Sequence, residues 1–157
     1  MQSGQNLKPM IGDADNNIRK EVKKMGNTNT LNLVLIEGRH DFPQTDGVIF
    51  VQSDIEKAIS FLNKGDTKMF AAILEVRAFN KVFSICRNNG WTWTDPWWDG
   101  DDMIPEYLPK DLTINLYVTG FTPALLATIN MSKRNGIALN TFNYNKDTGD
   151  YFLYPIA

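Results

Sequence analysis

Apolar positions along the chain fall into short runs whose spacing switches between the period of a strand and that of a helix. Leu31-Asn32-Leu33-Val34-Leu35-Ile36 is almost continuously apolar, as expected of a strand buried on both faces inside a parallel sheet. The polar turn Glu37-Gly38-Arg39-His40-Asp41 ends it, and Gly47-Val48-Ile49-Phe50-Val51 reads as a second strand. Ile55, Ala58, Ile59 and Leu62 then recur at helical spacing. Ser53 is placed to cap that helix with Glu56 completing a capping box, and Gly65 stops it. The longest helical pattern covers residues 68–88. Phe70, Ile73, Leu74, Ala78, Val82 and Ile85 form one broad face, widened by Phe79, Phe83 and Cys86, and Asn89-Gly90 ends it.

Residues 91–108 lack either period and read as an irregular aromatic stretch. Beyond them Ile114, Leu116, Tyr117 and Val118 make another strand that runs into a helix through Thr119-Gly120-Phe121-Thr122. Gly120 permits a left-handed or close backbone, Thr122 suits the N-cap and Pro123 the first helical position. Asn135-Gly136 ends the helix, residues 137–144 form a strand, 145–150 turn, and Tyr151-Phe152-Leu153-Tyr154 closes as an edge strand. Strand, helix and strand in that order imply a right-handed crossover between parallel strands. The expected fold is therefore α/β: a compact three-layer, Rossmann-like sheet, mostly parallel, with an antiparallel C-terminal edge hairpin. Residues 1–30 differ in character, with five basic and three acidic side chains and few aliphatics. They read as a polar tail or docking arm, with a short amphipathic helix through Ile18, Val22 and Met25 as the alternative. Residues 31–157 form a single α/β domain.

Composition narrows the classes. With 157 residues and 43% apolar content the chain can build one real core. A net charge of −2 and a pI of about 5.3 argue against a broad basic surface for long nucleic acid, while a small phosphorylated ligand needs only a few local donors. Cys86 is the single cysteine, which excludes an intramolecular disulfide and a multi-cysteine zinc site; on its apolar face it reads as an ordinary buried thiol. No run spans a membrane and no signal-peptide core follows the N-terminus, so the expected setting is the cytoplasm.

Candidate chemistry gathers at two polar turns that leave apolar strands. If both strands are central and parallel, Gly38, Arg39 and His40 face Thr119, Gly120 and Thr122 across one sheet edge. The guanidinium can take phosphate bidentately, the imidazole can donate a proton or act as acid or base, and the helix start offers N–H groups and a favourable dipole. The structural alternative is an Arg-His pair solvated or ion-paired with Glu37 or Asp41, beside a capped tight turn. Trp91, Trp93, Trp97 and Trp98 lie in an acidic stretch with six acids and one lysine between Asp95 and Asp111. That field repels phosphate and suits a loop packed on the core or a subunit interface. Asp99, Asp101 and Asp102 lack the ligand periodicity of a calcium loop, so no metal and no cofactor is expected. There is no phosphate-loop motif, dinucleotide fingerprint or nucleophile elbow. Whether the chain is an enzyme stays open; His40 and Arg39 are the catalytic candidates if it is.

Leu116-Tyr117-Val118-Thr119-Gly120-Phe121-Thr122-Pro123-Ala124-Leu125, the strand 139–144 and Thr148-Gly149-Asp150-Tyr151 together resemble the closing strand–helix–hairpin of CRISPR-associated Rossmann-fold (CARF) and SAVED-type sensor domains. More loosely the chain is similar to small uncharacterised proteins of phages and mobile elements. The resemblance covers about a quarter of the chain. It implies cyclic-oligonucleotide binding at the carboxyl edge, with Thr119, Gly120 and Thr122 on the ligand and Gly38, Arg39 and His40 lining the pocket. It also implies a homodimer around a symmetric ligand, in host-cell antiviral signalling if the source is viral. The chain departs from these families in lacking an effector domain and in carrying the tryptophan loop. Three readings result: a second-messenger binding or sequestering module, a protein-interaction component using the tryptophan loop, and a ring-opening phosphodiesterase.

Overall fold

The computed structural model describes residues 29–38, 44–100 and 103–154. Seven strands and three helices alternate among them: β1 (Asn29–Ile36), β2 (Gly47–Phe50), α1 (Gln52–Asn63), α2 (Thr67–Asn88), β3 (Trp93–Thr94), β4 (Glu106–Tyr107), β5 (Leu112–Tyr117), α3 (Thr122–Arg134), β6 (Ala138–Asn145) and β7 (Asp150–Tyr154). β1 begins at Asn29, so Asn29 and Thr30 pair with Leu112 and Thr113 in the sheet. The fold is α/β, a mostly parallel five-stranded sheet in the order β2-β1-β5-β6-β7 with an antiparallel β6–β7 edge. That is the layout the hydrophobic pattern predicts.

The order reverses direction at β1. From β1 the chain steps outward to β2, then crosses back over β1 to β5 and continues the same way to β6. The β1–β2 step uses only residues 37–46. It closes because β2 is short and begins level with Leu33, part-way along β1. Asp46 secures that start: its N–H donates to the Asn32 carbonyl and its carboxylate accepts the Asn32 N–H, both at 2.7 Å.

Side-chain parity explains the core. Leu31, Leu33 and Leu35 of β1 share one face with Leu112, Ile114 and Leu116 of β5, and all are buried. Against that face lie Ile55 and Ala58 of α1, Phe70, Leu74, Ala78, Val82 and Cys86 of α2, and Ala124, Ala127 and Met131 of α3, with α2 packed between the other two helices. Gly47 lets α2 come close, since a Cβ there would stand 3.1 Å from Ile85 Cδ1. The three helices follow right-handed crossovers that advance the same way across the sheet, which puts them on one face. On the other face Asn115 Nδ2 donates to Asn32 Oδ1 and Asn140 Nδ2 to Asn115 Oδ1, each at 3.0 Å, forming a carboxamide ladder across three strands. Toward the carboxyl edge of that face Tyr117 stacks on Phe142 and meets Tyr151 edge-on, and Tyr151 in turn meets Tyr144.

The helix starts differ from the sequence reading by one or two residues. Val51, not Ser53, caps α1: the Val51 N–H donates to the Asp54 carboxylate at 3.1 Å, and the next amide, Gln52, donates to Glu37 Oε1 at 3.1 Å. Valine has no side-chain acceptor, so two carboxylates serve where a Ser53 hydroxyl was expected. Phe121, not Thr122, occupies the N-cap of α3, with its ring edge-on against Phe70 of α2 at 6.4 Å. Pro123 accordingly falls one position later, still in the first turn, where its missing N–H costs no hydrogen bond.

Candidate functional site

β1 and β5 are adjacent and parallel through Val34↔Tyr117, so the turns after Ile36 and after Val118 leave the sheet side by side on its carboxyl edge. Thr119 joins them. Its buried hydroxyl accepts the Ile36 N–H at 3.1 Å and donates to the Ile36 carbonyl at 3.2 Å, continuing the β1–β5 pairing past the point where the ladders end. The side chain expected at a ligand is therefore committed to the scaffold and contributes position. Gly38 and Gly120 are exposed with φ of 79° and 40°, the left-handed region in which a Cβ is strained. Thr122, the first residue of α3, is also exposed, so Gly38, Gly120 and Thr122 come together at one rim. Arg39, His40 and Asp41 lie outside the described residues.

This rim is where the order of the sheet reverses, with β2 reached on one side of β1 and β5 lying on the other. Open α/β sheets bind ligands in the crevice beyond the strand ends at such a reversal. The electrostatics of the edge are asymmetric. The helices that follow β2 and β5, α1 and α3, begin there. The start of α1 is covered by carboxylates from Glu37 and Asp54. The start of α3 has no side-chain cap and no acid in its first turn. The start of α2 resembles that of α1, with Asp66 Oδ1 accepting the Met69 N–H at 3.0 Å. Of the three described helices only α3 leaves its leading N–H groups and positive dipole end without a carboxylate. Glu37, which the sequence suggests only as an ion-pair partner, thus helps cover the start of α1, while the start of α3 carries no carboxylate.

The tryptophan stretch is more ordered than its composition suggests. Trp93–Thr94 and Glu106–Tyr107 pair as a two-stranded antiparallel ribbon. Trp93 packs on Tyr107 with ring centres 4.7 Å apart and a 32° tilt, donates its indole N–H to the Leu108 carbonyl at 2.9 Å, and carries Lys110 Nζ 5.1 Å from its ring centre. Glu106 accepts from Arg87 at 2.8 and 3.2 Å and from the Thr92 hydroxyl, which holds its carboxyl below the usual range and the guanidinium above its own. Trp91 is half-buried against the core. Two of the four indoles named as interface residues, Trp91 and Trp93, therefore have partners in their own chain. Trp97 is 88% exposed and Trp98 40%, beside Met103 at 90% and Ile104 at 56%. The ribbon joins the end of α2 to the start of β5, the amino edge, and so stands at the opposite end of the sheet from the Gly38–Thr122 rim.

Burial in the α2 face pushes the Cys86 thiol up to about 11, which removes it as a nucleophile. Among the described residues no group of three His, Cys, Asp or Glu side chains could hold a metal ion, and no helix is long and apolar enough to cross a membrane. A groove between α2 and α3, lined by Val76, Phe79 and Met131, is bridged by the Arg134–Glu75 ion pair. Comparison with family models, curated proteins and solved structures found no match.

Proposed function

We propose that this chain is a cytoplasmic binding module for a small phosphorylated, nucleotide-type second messenger, held at the carboxyl edge between β1 and β5. The observation that carries the reading is the α3 start: alone among the described helices it lacks a carboxylate, and it sits at the reversal of strand order beside the turn that leads into Arg39 and His40. An anionic ligand there completes the first turn of α3, and Arg39 adds bidentate contacts to phosphate. The CARF and SAVED resemblance suggests a cyclic oligonucleotide and a homodimer, and with them a regulatory or sequestering role for a phage or mobile-element protein. Calorimetry against cyclic di-, tri- and tetranucleotides tests this. Binding is expected, with at least about tenfold loss on Arg39→Ala and on Thr122→Asp, which places a competing carboxylate at the helix start. Absence of binding at high micromolar ligand removes the reading.

A second reading rests on the exposed Trp97, Trp98, Met103 and Ile104. Exposed aromatic and methionine side chains in one loop are the composition of an interface core. Because that loop stands at the amino edge, a contact made through it leaves the Gly38–Thr122 rim open. Recovery of a partner from the native host that fails with Trp97→Ala and Trp98→Ala supports this reading; unchanged recovery removes the loop as the contact.

A further inference from the structure

At the amino edge a cavity of about 400 Å³ opens where the tryptophan ribbon meets the helix layer. α2 contributes Phe79 and Phe83, one turn apart with ring centres separated by 5.8 Å, and the ribbon contributes Trp93 and Tyr107. Leu108 and Pro109 add aliphatic surface. Glu106 and Lys110 supply the charged groups of the lining. The cavity stands at the opposite end of the sheet from the Gly38–Thr122 rim, so occupancy of one does not require the other.

Two cations of the chain already rest on these rings. Lys110 Nζ lies 5.1 Å from the centre of the Trp93 ring, and the guanidinium carbon of Arg87 lies 5.2 Å from that of Phe83. Positive charge is drawn to the electron-rich face of an aromatic ring at such distances. The sequence around the cavity acts in the same sense: between Asp95 and Asp111 it carries six acids and one lysine, a field that attracts cations as it repels phosphate. The two cations are held differently. Arg87 is anchored to Glu106 by hydrogen bonds of 2.8 and 3.2 Å. Lys110 is exposed and has no carboxylate partner among the described residues. It is the one an incoming cation can displace.

The acceptors of the cavity select the kind of cation. Both oxygens of Glu106 are engaged, by Arg87 and by the Thr92 hydroxyl, and the Leu108 carbonyl accepts the Trp93 indole N–H at 2.9 Å. A primary ammonium brings three N–H donors and a guanidinium five, which lose water on entry without gaining these acceptors. A fully methylated ammonium brings none. We propose that this cavity binds a trimethylammonium group against the rings of Phe79, Phe83, Trp93 and Tyr107, with the Lys110 ammonium displaced into water as the group enters. The charge meets the ring faces, and the methyl groups bury against Leu108 and Pro109. A free choline-like molecule and a trimethylated lysine side chain both carry this head group, and the rings read the chemistry the two share.

Nuclear magnetic resonance titration of the full-length chain tests the proposal, with the Trp93 indole N–H and the Phe83 and Tyr107 amides as reporters. The probes are choline, its neutral tert-butyl isostere, and a short peptide carrying trimethyllysine beside the same peptide unmethylated. Saturable shifts are expected with choline or with the trimethyllysine peptide, and the tighter of the two identifies the source. The neutral isostere and the unmethylated peptide are expected to bind at least about threefold more weakly than their charged, methylated counterparts. Lys110→Met keeps the aliphatic stem and removes the competing charge, so it is expected to tighten binding at least about twofold. Phe83→Leu keeps apolar volume without the ring and is expected to weaken it at least about threefold. Absence of saturable shifts up to about 20 mM of either cation, in the native chain and in Lys110→Met, overturns the proposal. So does a neutral isostere that binds inside the stated margin, since the cavity would then read only apolar surface. Binding that Lys110→Met weakens or leaves unchanged overturns it as well, because the lysine would then not be the competitor.

Discussion

Thr119 shows how much can depend on one hydroxyl. It accepts from the N–H and donates to the C=O of the same residue, Ile36, in a fully packed position. Replacing it by valine keeps the shape and strands a buried donor and acceptor together. Thr119→Val is expected to lower the unfolding free energy by roughly 1–3 kcal/mol, and Thr119→Ser to lose much less, as read from urea unfolding. Equal losses in the two variants would mean that the methyl group, not the hydroxyl, ties the strands. Cys86 offers a second test at the same scale. Burial raises its folded-state pKa to about 11, above the unfolded value, so the neutral thiol favours the folded state. That contribution is complete below the unfolded pKa near 9 and disappears as pH climbs through the folded value. Stability should therefore fall between about pH 9 and 11 with a slope approaching one proton, and Cys86→Ala should flatten that limb.

At the scale of elements the β3–β4 ribbon is attached through Glu106. Its carboxylate collects Arg87 and Thr92, and its pKa lies below the usual value. A lowered carboxyl pKa stabilises above the unfolded value and is lost as pH falls through the folded one. The ribbon should loosen as pH falls below the ordinary carboxylate range, and Glu106→Gln should loosen it at neutral pH. Faster amide exchange at Trp93 and Tyr107, with the main sheet unaffected, would show this; unchanged exchange would mean that the Trp93–Tyr107 stack suffices. The ribbon also marks what the sequence could not disclose. β1, β5 and α2 were legible because their periodicity is local and strong. Trp93 and Tyr107 lie 14 residues apart, and nothing local announces that Glu106 draws Arg87 and Thr92 together. The helix starts hide for the same reason: their partners Glu37 and Phe70, against α1 and α3, are both distant in sequence. At the candidate site, Gly38, Gly120 and Thr122 could be read from turn chemistry. The structural duty of Thr119 could not, because it depends on the register of two strands.

At the scale of the whole molecule, the described surface offers two different kinds of contact. The sheet has two edges, and they are not equivalent. β2 is four residues long and pinned by Asp46 at its start. β7 runs for five residues with Phe152, Leu153 and Tyr154 each about half exposed and no lysine or proline within it. An edge strand flanked by exposed apolar side chains is a template for another strand. The exposed Trp97 and Met103 offer a different contact, through side chains alone. The two separate cleanly by mutation. Phe152→Lys puts a charge on the outer strand while leaving the core intact, with a change in stability within about 0.5 kcal/mol. It is expected to suppress self-association and to raise the temperature at which scattering begins, whereas Trp97→Ala leaves both where they were. Sedimentation velocity and light scattering on the two variants decide between them. The reverse pattern would place the contact at the amino-edge loop, far from the rim of Gly38 and Thr122, and any symmetric ligand would then have to be bound by each subunit alone.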